Sequence, residues 1–224
     1  MATPDNVVMG LADCSPRQGT PGRESEMGIA TSRTAYRVSK RFFDIVVAAA
    51  GLILGAPLLA LASAAIRFES RGSPIFAQVR VGTNGRLFTC YKLRTMYTGT
   101  SNLPTHQAQK SAVTPLGAHL RRWKIDELPQ LYNVLAGDMS LVGPRPCLPS
   151  QVGLIKARER MGVHRVLPGI TGLAQVRGID MSEPEKLAAV DAEYANNATF
   201  LGDIKLMIAT IVGQGLGVDR IKRT

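Results

Sequence analysis

The sequence predicts a mostly helical α/β protein in which a re-entrant membrane helix hairpin joins a small cytoplasmic domain with a β-hairpin and interfacial amphipathic helices. Three observations support this fold class. Residues 45–66 form an apolar run without charge, and about 20 such residues span a bilayer. Pro57 lies in the middle of the run, and basic residues flank both of its ends. After Arg67 the chain has the mixed polar and apolar composition of a soluble domain.

Composition divides the chain of 224 residues into four parts. Residues 1–33 are rich in Gly, Ser, Pro and Thr and lack apolar periodicity, which predicts a disordered tail. No apolar core follows a short basic start, so this tail is not a secretory signal. Residues 34–67 hold the membrane hairpin, residues 68–217 form the cytoplasmic domain, and residues 218–224 form a basic C-terminal tail.

Pro57 and the flanking charges predict the topology of the hairpin. Proline removes a backbone donor and clashes with the preceding turn, so we expect the helix to break there. Lys and Arg mark the cytoplasmic side of a membrane. A helix that enters, turns at Pro57 and leaves keeps both basic flanks on that side. A single spanning helix kinked by proline and a buried core helix are the alternatives. The flanking residues are Arg33, Arg37, Lys40 and Arg41, then Arg67, Arg71, Arg80 and Arg86.

The first part of the cytoplasmic domain reads as a β-hairpin, a loop and a helix. Two β-rich runs flank Thr83-Asn84-Gly85, and Asn-Gly between such runs is a strong hairpin signal. Residues 97–112 are polar and predict a loop. Residues 116–123 have a helical pattern with a basic outer face.

The second part alternates stiff loops with helices. Residues 137–149 are rich in proline, and Pro144 and Pro146 hold Arg145 in an extended loop. Residues 167–178 form a second loop, punctuated by glycine. Ser182 and Glu185 have the spacing of a capping box, which predicts a helix over residues 183–196. A last apolar-striped helix is predicted over residues 203–213.

Charge and cysteine content narrow the function classes. The formal net charge of +10 favours polyanionic partners: phosphorylated small molecules, an anionic membrane face or nucleic acid. Only 5% of the residues are aromatic, which is little for a protein that stacks nucleic-acid bases. Three distant cysteines without a CxxC spacing suggest neither a disulfide framework nor a zinc site.

Adjacent carboxylates at Asp126 and Glu127 are the main candidate site, and they admit two interpretations. In the structural one, Asp126 caps the start of a helix, Glu127 lies in its first turn, and Pro129 is early enough to be tolerated. In the chemical one, the helix start and Arg121 attract a phosphate, and one carboxylate attacks phosphorus. Both carboxylates are also suitable ligands for Mg²⁺. Composition alone does not choose between the two interpretations.

An ordered series of longer motifs adds a resemblance. The motifs are KRFFD, an apolar run with a central proline, FTCYKLRTM, KIDELPQLYNVLAGDMSLVGPRP and PGITGLAQVRG. In this order they resemble the bacterial sugar transferases, and among these the monotopic phosphoglycosyl transferases, which load a sugar-1-phosphate onto undecaprenyl phosphate. The resemblance covers residues 40–217, so nearly everything outside the N-terminal tail. A re-entrant helix hairpin is a trait of that family too.

The resemblance implies a two-step reaction and a role for each site residue. Asp126 is the nucleophile that attacks the sugar-proximal phosphate of a UDP-sugar and expels UMP, after which undecaprenyl phosphate attacks the phosphosugar-aspartate. Glu127 is the partner acid, and with Asp126 it helps to hold Mg²⁺, or Mn²⁺ in its place. Arg121 occupies the position of the family's phosphate-binding arginine, and Arg145 is a second phosphate contact. Residues 68–217 are then the catalytic domain.

The remaining expectations concern the rim of the site and the partners. Lys92 and Arg94 line the active-site rim or face water. The expected partners are a UDP-sugar, undecaprenyl phosphate, anionic inner-membrane lipids and a second copy of the chain, at the cytoplasmic face of the bacterial inner membrane, and not nucleic acid. The stretch 178–182 resembles small members that use N-acetylated 6-deoxyhexosamine donors. Many members have Ser-Pro at the helix break, whereas this chain has Ala56-Pro57.

Two other function classes compete with the transferase. A membrane-tethered nucleic-acid-binding protein would explain the charge, but the sequence has no signature of a nucleic-acid-binding fold. A non-enzymatic membrane scaffold would explain the hairpin and the interfacial helices, but it would not need the acidic pair together with the Gly-Pro-Arg-Pro and Pro-Gly-Ile-Thr-Gly loops. Release of UMP from a UDP-sugar separates the transferase from both.

Overall fold

The computed structural model describes residues 23–99 and 112–213, with side chains from Thr34 onward. The contacts discussed below lie within the unit that begins at Tyr36, and the residues before it form a separate unit. In the described ranges the helices are α1 (Arg23–Glu69), α2 (Pro115–Arg122), α3 (Gln130–Ala136), α4 (Val152–Arg160), α5 (Leu173–Val176), α6 (Pro184–Asn197) and α7 (Phe200–Ile211), and the strands are β1 (Ile75–Val81), β2 (Leu87–Leu93), β3 (Ser140–Val142) and β4 (Gly169–Thr171).

Helix α1 begins earlier than the sequence predicts. It starts at Arg23, inside the stretch 1–33 that is predicted to be a disordered tail. Residues 23–33 contain Arg, Glu, Met and Ala, which favour helix, and extending a helix costs less than nucleating one. The rest of the predicted tail, residues 1–22, and the basic tail 218–224 lie outside the described residues.

Helix α1 also continues through Pro57, so the predicted division into two helices is not observed. Both sides of the proline pack on the same domain, which explains why the helix is retained. A Cβ added at Gly55 would lie 3.8 Å from the Leu128 side chain, and Leu59 packs against a cluster that contains Leu120. These contacts offset the single backbone hydrogen bond that proline removes.

One stripe of α1 contacts the domain that follows it, along its whole apolar length. Its members recur every three or four residues, the spacing of a single helix face. The residues at both ends of the stripe bind the same domain, and small residues in its centre allow a close approach. The stripe comprises Lys40, Asp44, Ala48, Gly51, Gly55, Leu59, Ala62 and Ile66.

The opposite face of α1 is apolar and exposed. The segment Thr34–Glu69 is long and apolar enough to cross a membrane, and most of its apolar part is not buried by the protein. Large apolar side chains without cover are usually sites of contact with lipid or another protein. The most exposed ones on α1 are Val38, Phe42, Ile53, Leu54, Leu61 and Phe68.

The predicted β-hairpin is confirmed. β1 and β2 pair antiparallel, with Val81 opposite Leu87 next to the turn. The turn contains Asn84 with φ 54° and Gly85 with φ 73°. Asparagine and glycine tolerate this left-handed backbone better than other residues, which is why Asn-Gly is a hairpin signal.

The predicted helices form, but one predicted cap does not. α2 occupies residues 115–122, and its N-cap Thr114 accepts a hydrogen bond from the Gly117 backbone N–H at 2.9 Å. α6 extends from Pro184 to Asn197, close to the predicted 183–196, but the capping box is wrong. Ser182 binds the Asp180 carboxylate instead, because the proline at the first helical position moves the helix start past it. α7 begins at Phe200, three residues before the predicted start.

Glycines allow β3 and β4 to approach more closely than side chains would permit. The two strands are parallel and pair Ser140 with Gly169. Just after β3, a Cβ on Gly143 would lie 2.3 Å from the Leu167 carbonyl oxygen, which real Cβ atoms do not tolerate. The Gly143 backbone N–H donates to the Thr171 carbonyl at 2.8 Å. This contact holds the proline-rich loop that follows β3 against the second glycine loop.

Three apolar clusters surround these elements. One joins α1 to α3, β3 and α6, the second lies between α4, α5, α6 and the end of β1, and the third joins the end of α1 to β2 and α2. The buried members of the first are Ala48, Cys90, Val134, Met139, Leu141, Val142 and Tyr194. The hairpin, α2 and the segment before α3 therefore meet on one side of α1.

We expect Gly143→Ala to destabilise the fold. The added methyl group would push apart backbone atoms that cannot move independently, at a cost of about 1–3 kcal/mol. Gly153→Ala is the matched control, because a Cβ there meets nothing within 4 Å and alanine favours the helix in which it lies. Thermal unfolding in detergent, followed by circular dichroism, should show a clearly lower melting temperature for the first variant alone. Equal melting temperatures would contradict the close packing of the two loops.

Candidate active site

The acidic pair lies in a short 3₁₀ turn and does not cap a helix. The turn spans Ile125–Glu127 and follows Lys124, whose φ of 55° starts it. α3 begins only at Gln130, after Pro129, and has no side-chain cap. The capping interpretation of Asp126 is therefore wrong, because the left-handed residue Lys124 starts the turn ahead of the acidic pair.

Glu127 is buried between two cations. Its Oε1 atom accepts from Lys92 Nζ at 3.2 Å and from an Arg145 guanidinium nitrogen at 2.6 Å, and 13% of its side chain is exposed. Burial alone would raise the pKa of Glu127, but Arg145 and Lys92 outweigh burial and hold it well below its usual range. Glu127 is thus a permanent anion that fixes two cations from different parts of the chain.

Asp126 has the opposite environment. It is 9% exposed, and among the residues that the structure describes no donor or cation contacts its carboxylate. Burial and then the charge of Glu127 raise the pKa of Asp126 above its usual value. The nearby cations Lys92, Arg121 and Arg145 oppose this shift. A buried carboxylate without hydrogen bonds, close to cations, is well placed for nucleophilic attack on an anionic substrate.

Arg121 comes to this site from the last turn of α2. Its Nε donates to Thr95 Oγ1 at 2.8 Å, which holds the guanidinium beside the acidic turn. The positive charge of Arg121 opposes the rise in the pKa of Asp126. Four residues predicted from the sequence for the site, besides Asp126, therefore gather there: Lys92, Arg121, Glu127 and Arg145.

Arg94 does not join them, and the prediction that it lines the site is wrong. Its guanidinium donates to the carbonyl oxygens of Ser70 at 2.7 Å and Arg71 at 2.9 Å, at the end of α1. Arg94 is 8% exposed. Within a strand, residues two positions apart, such as Lys92 and Arg94, would lie on the same face. The strand β2 ends at Leu93, so Arg94 lies beyond it and does not follow this alternation.

Asn133 fixes the distance between the acidic turn and the hairpin, and sequence reasoning missed it. This fully buried residue of α3 accepts from the Tyr91 backbone N–H at 3.1 Å and donates to the Thr89 carbonyl at 2.7 Å. The Asn133 amide makes the two backbone hydrogen bonds that a neighbouring strand would otherwise make with β2. It thereby holds Lys92 of β2 at a fixed distance from Glu127. An asparagine in the middle of a helix, where its propensity is poor, is the signal that could have identified it.

Arg80 is the second residue that sequence reasoning missed as part of the site. It lies on β1 and donates to the Pro146 carbonyl at 2.9 Å, immediately after Arg145. Burial, and next the charge of Arg145, lower the pKa of Arg80. The cations Arg80, Lys92, Arg121 and Arg145 therefore surround two carboxylates, which leaves the described part of the site with excess positive charge for a polyanion such as a diphosphate.

The donor set fits Mg²⁺ at Asp126 better than at Glu127. Among the described residues no group of three or more His, Cys, Asp or Glu side chains could hold a metal. Mg²⁺ is commonly bound by one or two carboxylates together with substrate phosphates and water. The Asp126 carboxylate is free for such a role, whereas two cations occupy Glu127 and would repel a metal ion.

Comparison with known proteins places the chain in a family. The sequence model described as "Bacterial sugar transferase" matches residues 35–214. A UDP-glucose:undecaprenyl-phosphate glucose-1-phosphate transferase of Caulobacter vibrioides is 42% identical over 188 residues, 80% of this chain and 70% of that protein. An undecaprenyl-phosphate glucose phosphotransferase of Komagataeibacter xylinus is 40% identical over 78% of this chain and 35% of its own length. An uncharacterized sugar transferase, EpsL, of Bacillus subtilis is 38% identical over 78% of this chain and 86% of its own.

The chain thus spans about a third of the Komagataeibacter protein and most of the other two. The family match includes the acidic turn, the hairpin and both loops. With most of its length matched, this chain belongs to the bacterial sugar transferase family.

Proposed function

We propose that the protein transfers a sugar-1-phosphate from a UDP-sugar to undecaprenyl phosphate through a covalent intermediate on Asp126. The observation that carries this proposal is the pair of opposite environments in one turn: Asp126 is free and Glu127 binds two cations. The names of the Caulobacter and Komagataeibacter relatives make glucose-1-phosphate the first group to test. An N-acetylated 6-deoxyhexosamine donor, suggested by the stretch 178–182, is the second.

In the first step a carboxylate oxygen of Asp126 attacks the phosphorus that bears the sugar. The bond from that phosphorus to the oxygen of UMP breaks, and UMP leaves with the bonding electrons. Arg121 and Arg145 are placed to bind the phosphate oxygens as charge shifts between them. The raised pKa of Asp126 makes its carboxylate more basic, and hence more nucleophilic, than an exposed aspartate.

In the second step a phosphate oxygen of undecaprenyl phosphate attacks the same phosphorus. The Asp126 carboxylate leaves as an anion, and the product is undecaprenyl-diphosphate-sugar. Glu127 takes no covalent part. Its permanent charge keeps Lys92 and Arg145 in place through both steps, so the site retains its positive potential when UMP departs.

We also propose that Mg²⁺, or Mn²⁺ in its place, assists the reaction. Asp126 and the substrate diphosphate would hold the ion. Glu127 would not bind it directly, but would keep Lys92 and Arg145 in place beside the diphosphate. The ion would supply positive charge at the diphosphate, beyond what the arginines provide.

The proposed location is the cytoplasmic face of the bacterial inner membrane, with both ends of α1 on that side, although α1 is continuous and lacks the predicted break at Pro57. Contacts at both ends of α1 support this topology, because Lys40 pairs with Asp203 at 2.8 Å and the carbonyl of Ser70 binds Arg94. A helix that crossed the bilayer between these positions would separate its ends by about 30 Å of hydrocarbon, and one small domain could not contact both ends on one side.

Helix α7 is proposed to lie in the same membrane interface. The Phe200 ring packs edge-on against Phe43 of α1, with 5.3 Å between the ring centres. Leu201, Ile208 and Ile211 are exposed on the outward side of α7, where they would extend the apolar face of α1. Such a helix lies in the plane of a membrane interface with its apolar face towards the lipid. The homodimer remains a prediction.

Topology can be tested with single cysteines on the exposed side of α1. We expect Val38→Cys and Phe68→Cys, in a background with Cys14 replaced by serine, to react with an impermeant maleimide in inverted vesicles and not in spheroplasts. Cys90 and Cys147 are buried and should stay silent. Glu159→Cys, on an exposed position of α4, reports the cytoplasmic side. Labelling of either α1 position in spheroplasts would restore the spanning helix.

Metal dependence can be tested by chelation. Because the ion would neutralise a diphosphate that the arginines balance only in part, we expect activity to disappear in EDTA and to return with Mg²⁺ or Mn²⁺. The assay is UMP release with UDP-glucose and undecaprenyl phosphate in detergent. Calcium is the control, since its larger size and looser geometry should restore little activity. Undiminished turnover in the chelator would mean that the cationic cluster is sufficient.

The nucleophile is tested by Asp126→Asn. This substitution keeps the size of the side chain and removes the attacking anion, so activity should fall by about a thousandfold or more. The melting temperature should change little, because Asp126 makes no contact that asparagine would break. Glu127→Gln should also be severely impaired, since it releases Lys92 and Arg145. Glu159→Gln, an exposed carboxylate, is the control.

Mass spectrometry completes that test. Enzyme mixed with UDP-glucose and no acceptor should release UMP and retain a phosphosugar on the peptide that contains Asp126, as ping-pong kinetics require. A membrane scaffold or a nucleic-acid-binding protein would release no UMP. An active Asp126→Asn enzyme, or an adduct on another residue, would exclude the covalent role of Asp126.

A further inference from the structure

Within the described part of the chain, Arg145 and Pro146 make no backbone–backbone hydrogen bond. On the preceding side, the Gly169 backbone N–H donates to the Pro144 carbonyl at 2.9 Å. On the following side, the Val81 backbone N–H donates to the Cys147 carbonyl at 2.9 Å. Arg145 and the peptide after it lie between these two anchors.

Arg80 supplies the missing anchor from its side chain. Its Nη1 atom donates at 2.9 Å to the carbonyl of Pro146, the residue that follows Arg145. The other two guanidinium nitrogens, Nε and Nη2, donate to Gln78 Oε1 at 3.1 Å and 2.6 Å. Gln78 and Arg80 are two residues apart on β1, so they share a face of the strand and the amide aims the guanidinium.

The charge of Arg80 has no carboxylate partner within 4 Å among the described residues. A neutral donor could also bind a carbonyl, so the contact with Pro146 does not by itself account for the charge of Arg80. Arg80 is half-buried and close enough to Arg145 for their charges to repel each other. That repulsion favours the Arg145 conformation in which its guanidinium pairs with Glu127.

We propose that Arg80 is a positioning residue, which aims Arg145 at Glu127 and at the substrate phosphates by binding the Pro146 carbonyl and by repelling the Arg145 guanidinium. This rests on the proposed transferase function, in which Arg145 binds phosphate. Arg80 itself need not touch the substrate. Gln78 is the residue that holds Arg80 in the required orientation.

A double-mutant cycle tests whether Arg80 acts through Arg145. We expect Arg80→Met to lower kcat/KM for UDP-glucose by about 10- to 100-fold, a loss typical of a misplaced binding group. In an Arg145→Met background the same change should add less than about twofold, because the group that Arg80 positions is already absent. Arg80→Lys keeps the charge but loses the forked contact to Gln78, and should be intermediate. Independent, multiplying losses would overturn the proposal.

The acid limb of the pH–rate profile gives a second readout. It tests whether Arg80 acts through Arg145 if the Arg145→Met variant is too inactive for the double-mutant cycle. Arg145 favours the ionised forms of Asp126 and Glu127, so its displacement raises their pKa values. The ionised forms are then lost at a higher pH as the solution is acidified. The acid limb of Arg80→Met should therefore move to higher pH, in the same direction as that of Arg145→Met. A lower rate with an unmoved limb would indicate a merely structural residue.

Arg86→Met is the matched control, because Arg86 is an exposed arginine on the same hairpin. Its kinetics and melting temperature should equal those of the wild type. Hydrogen exchange gives a readout that does not depend on activity: amides of residues 145–148 should exchange faster in Arg80→Met than in the wild type or in Arg86→Met. If the wild-type protein releases no UMP from any UDP-sugar, the proposed function fails. Unchanged exchange in Arg80→Met would overturn the anchoring by Arg80.

Discussion

The burial of Glu127 beside a second carboxylate is the constraint on which the arrangement of the site depends. Two adjacent acids in one short turn repel each other, and burial penalises both charges. The fold resolves this by giving Glu127 two cations, Lys92 from β2 and Arg145 from the loop after β3. The hairpin, the acidic turn and the proline-rich loop are distant in sequence and have to meet at this carboxylate. Asp126 then remains without a partner in the described part of the chain, so its carboxylate is available to the substrate and to the proposed metal ion.

The membrane helix and the catalytic loop depend on the same strand. Asp44 of α1 is buried and accepts from Ser140 Oγ at 2.7 Å, at the first residue of β3. Lys40, one turn earlier, pairs with Asp203 of α7. β3 leads directly into the loop that carries Arg145, so the seating of α1 fixes one end of that loop. In the proposed function, these contacts would hold the active site at a constant height above the bilayer, where a soluble donor would meet a lipid acceptor.

Patterns that are local in sequence predicted much of the fold and of the site. The hairpin at Asn84-Gly85 and the helix of residues 116–123 follow from backbone preferences over a few residues, and they are confirmed. That Arg145 lies beside the acidic pair was predicted from the order of the longer motifs, through the family that they resemble, and not from a local pattern. Failures occurred where the outcome depends on a distant contact. Nothing near Arg94 in sequence reveals that its guanidinium binds the end of α1. Likewise, the continuation of α1 through Pro57 depends on packing against the catalytic domain.

The different environments of the two carboxylates also bear on which of them is the better nucleophile. A carboxylate without hydrogen bonds has the advantage. Each donor that contacts a carboxylate stabilises it before the reaction and must be given up, at least in part, when an oxygen forms a bond to phosphorus. Glu127 accepts such donors, and its lowered pKa also makes it less basic, so it is the poorer nucleophile of the two. Asp126 has cations close by but not in contact, so their charge acts on the carboxylate while their N–H groups remain available to phosphate oxygens. The same cations can thus serve the substrate when it binds, without first being released by the nucleophile.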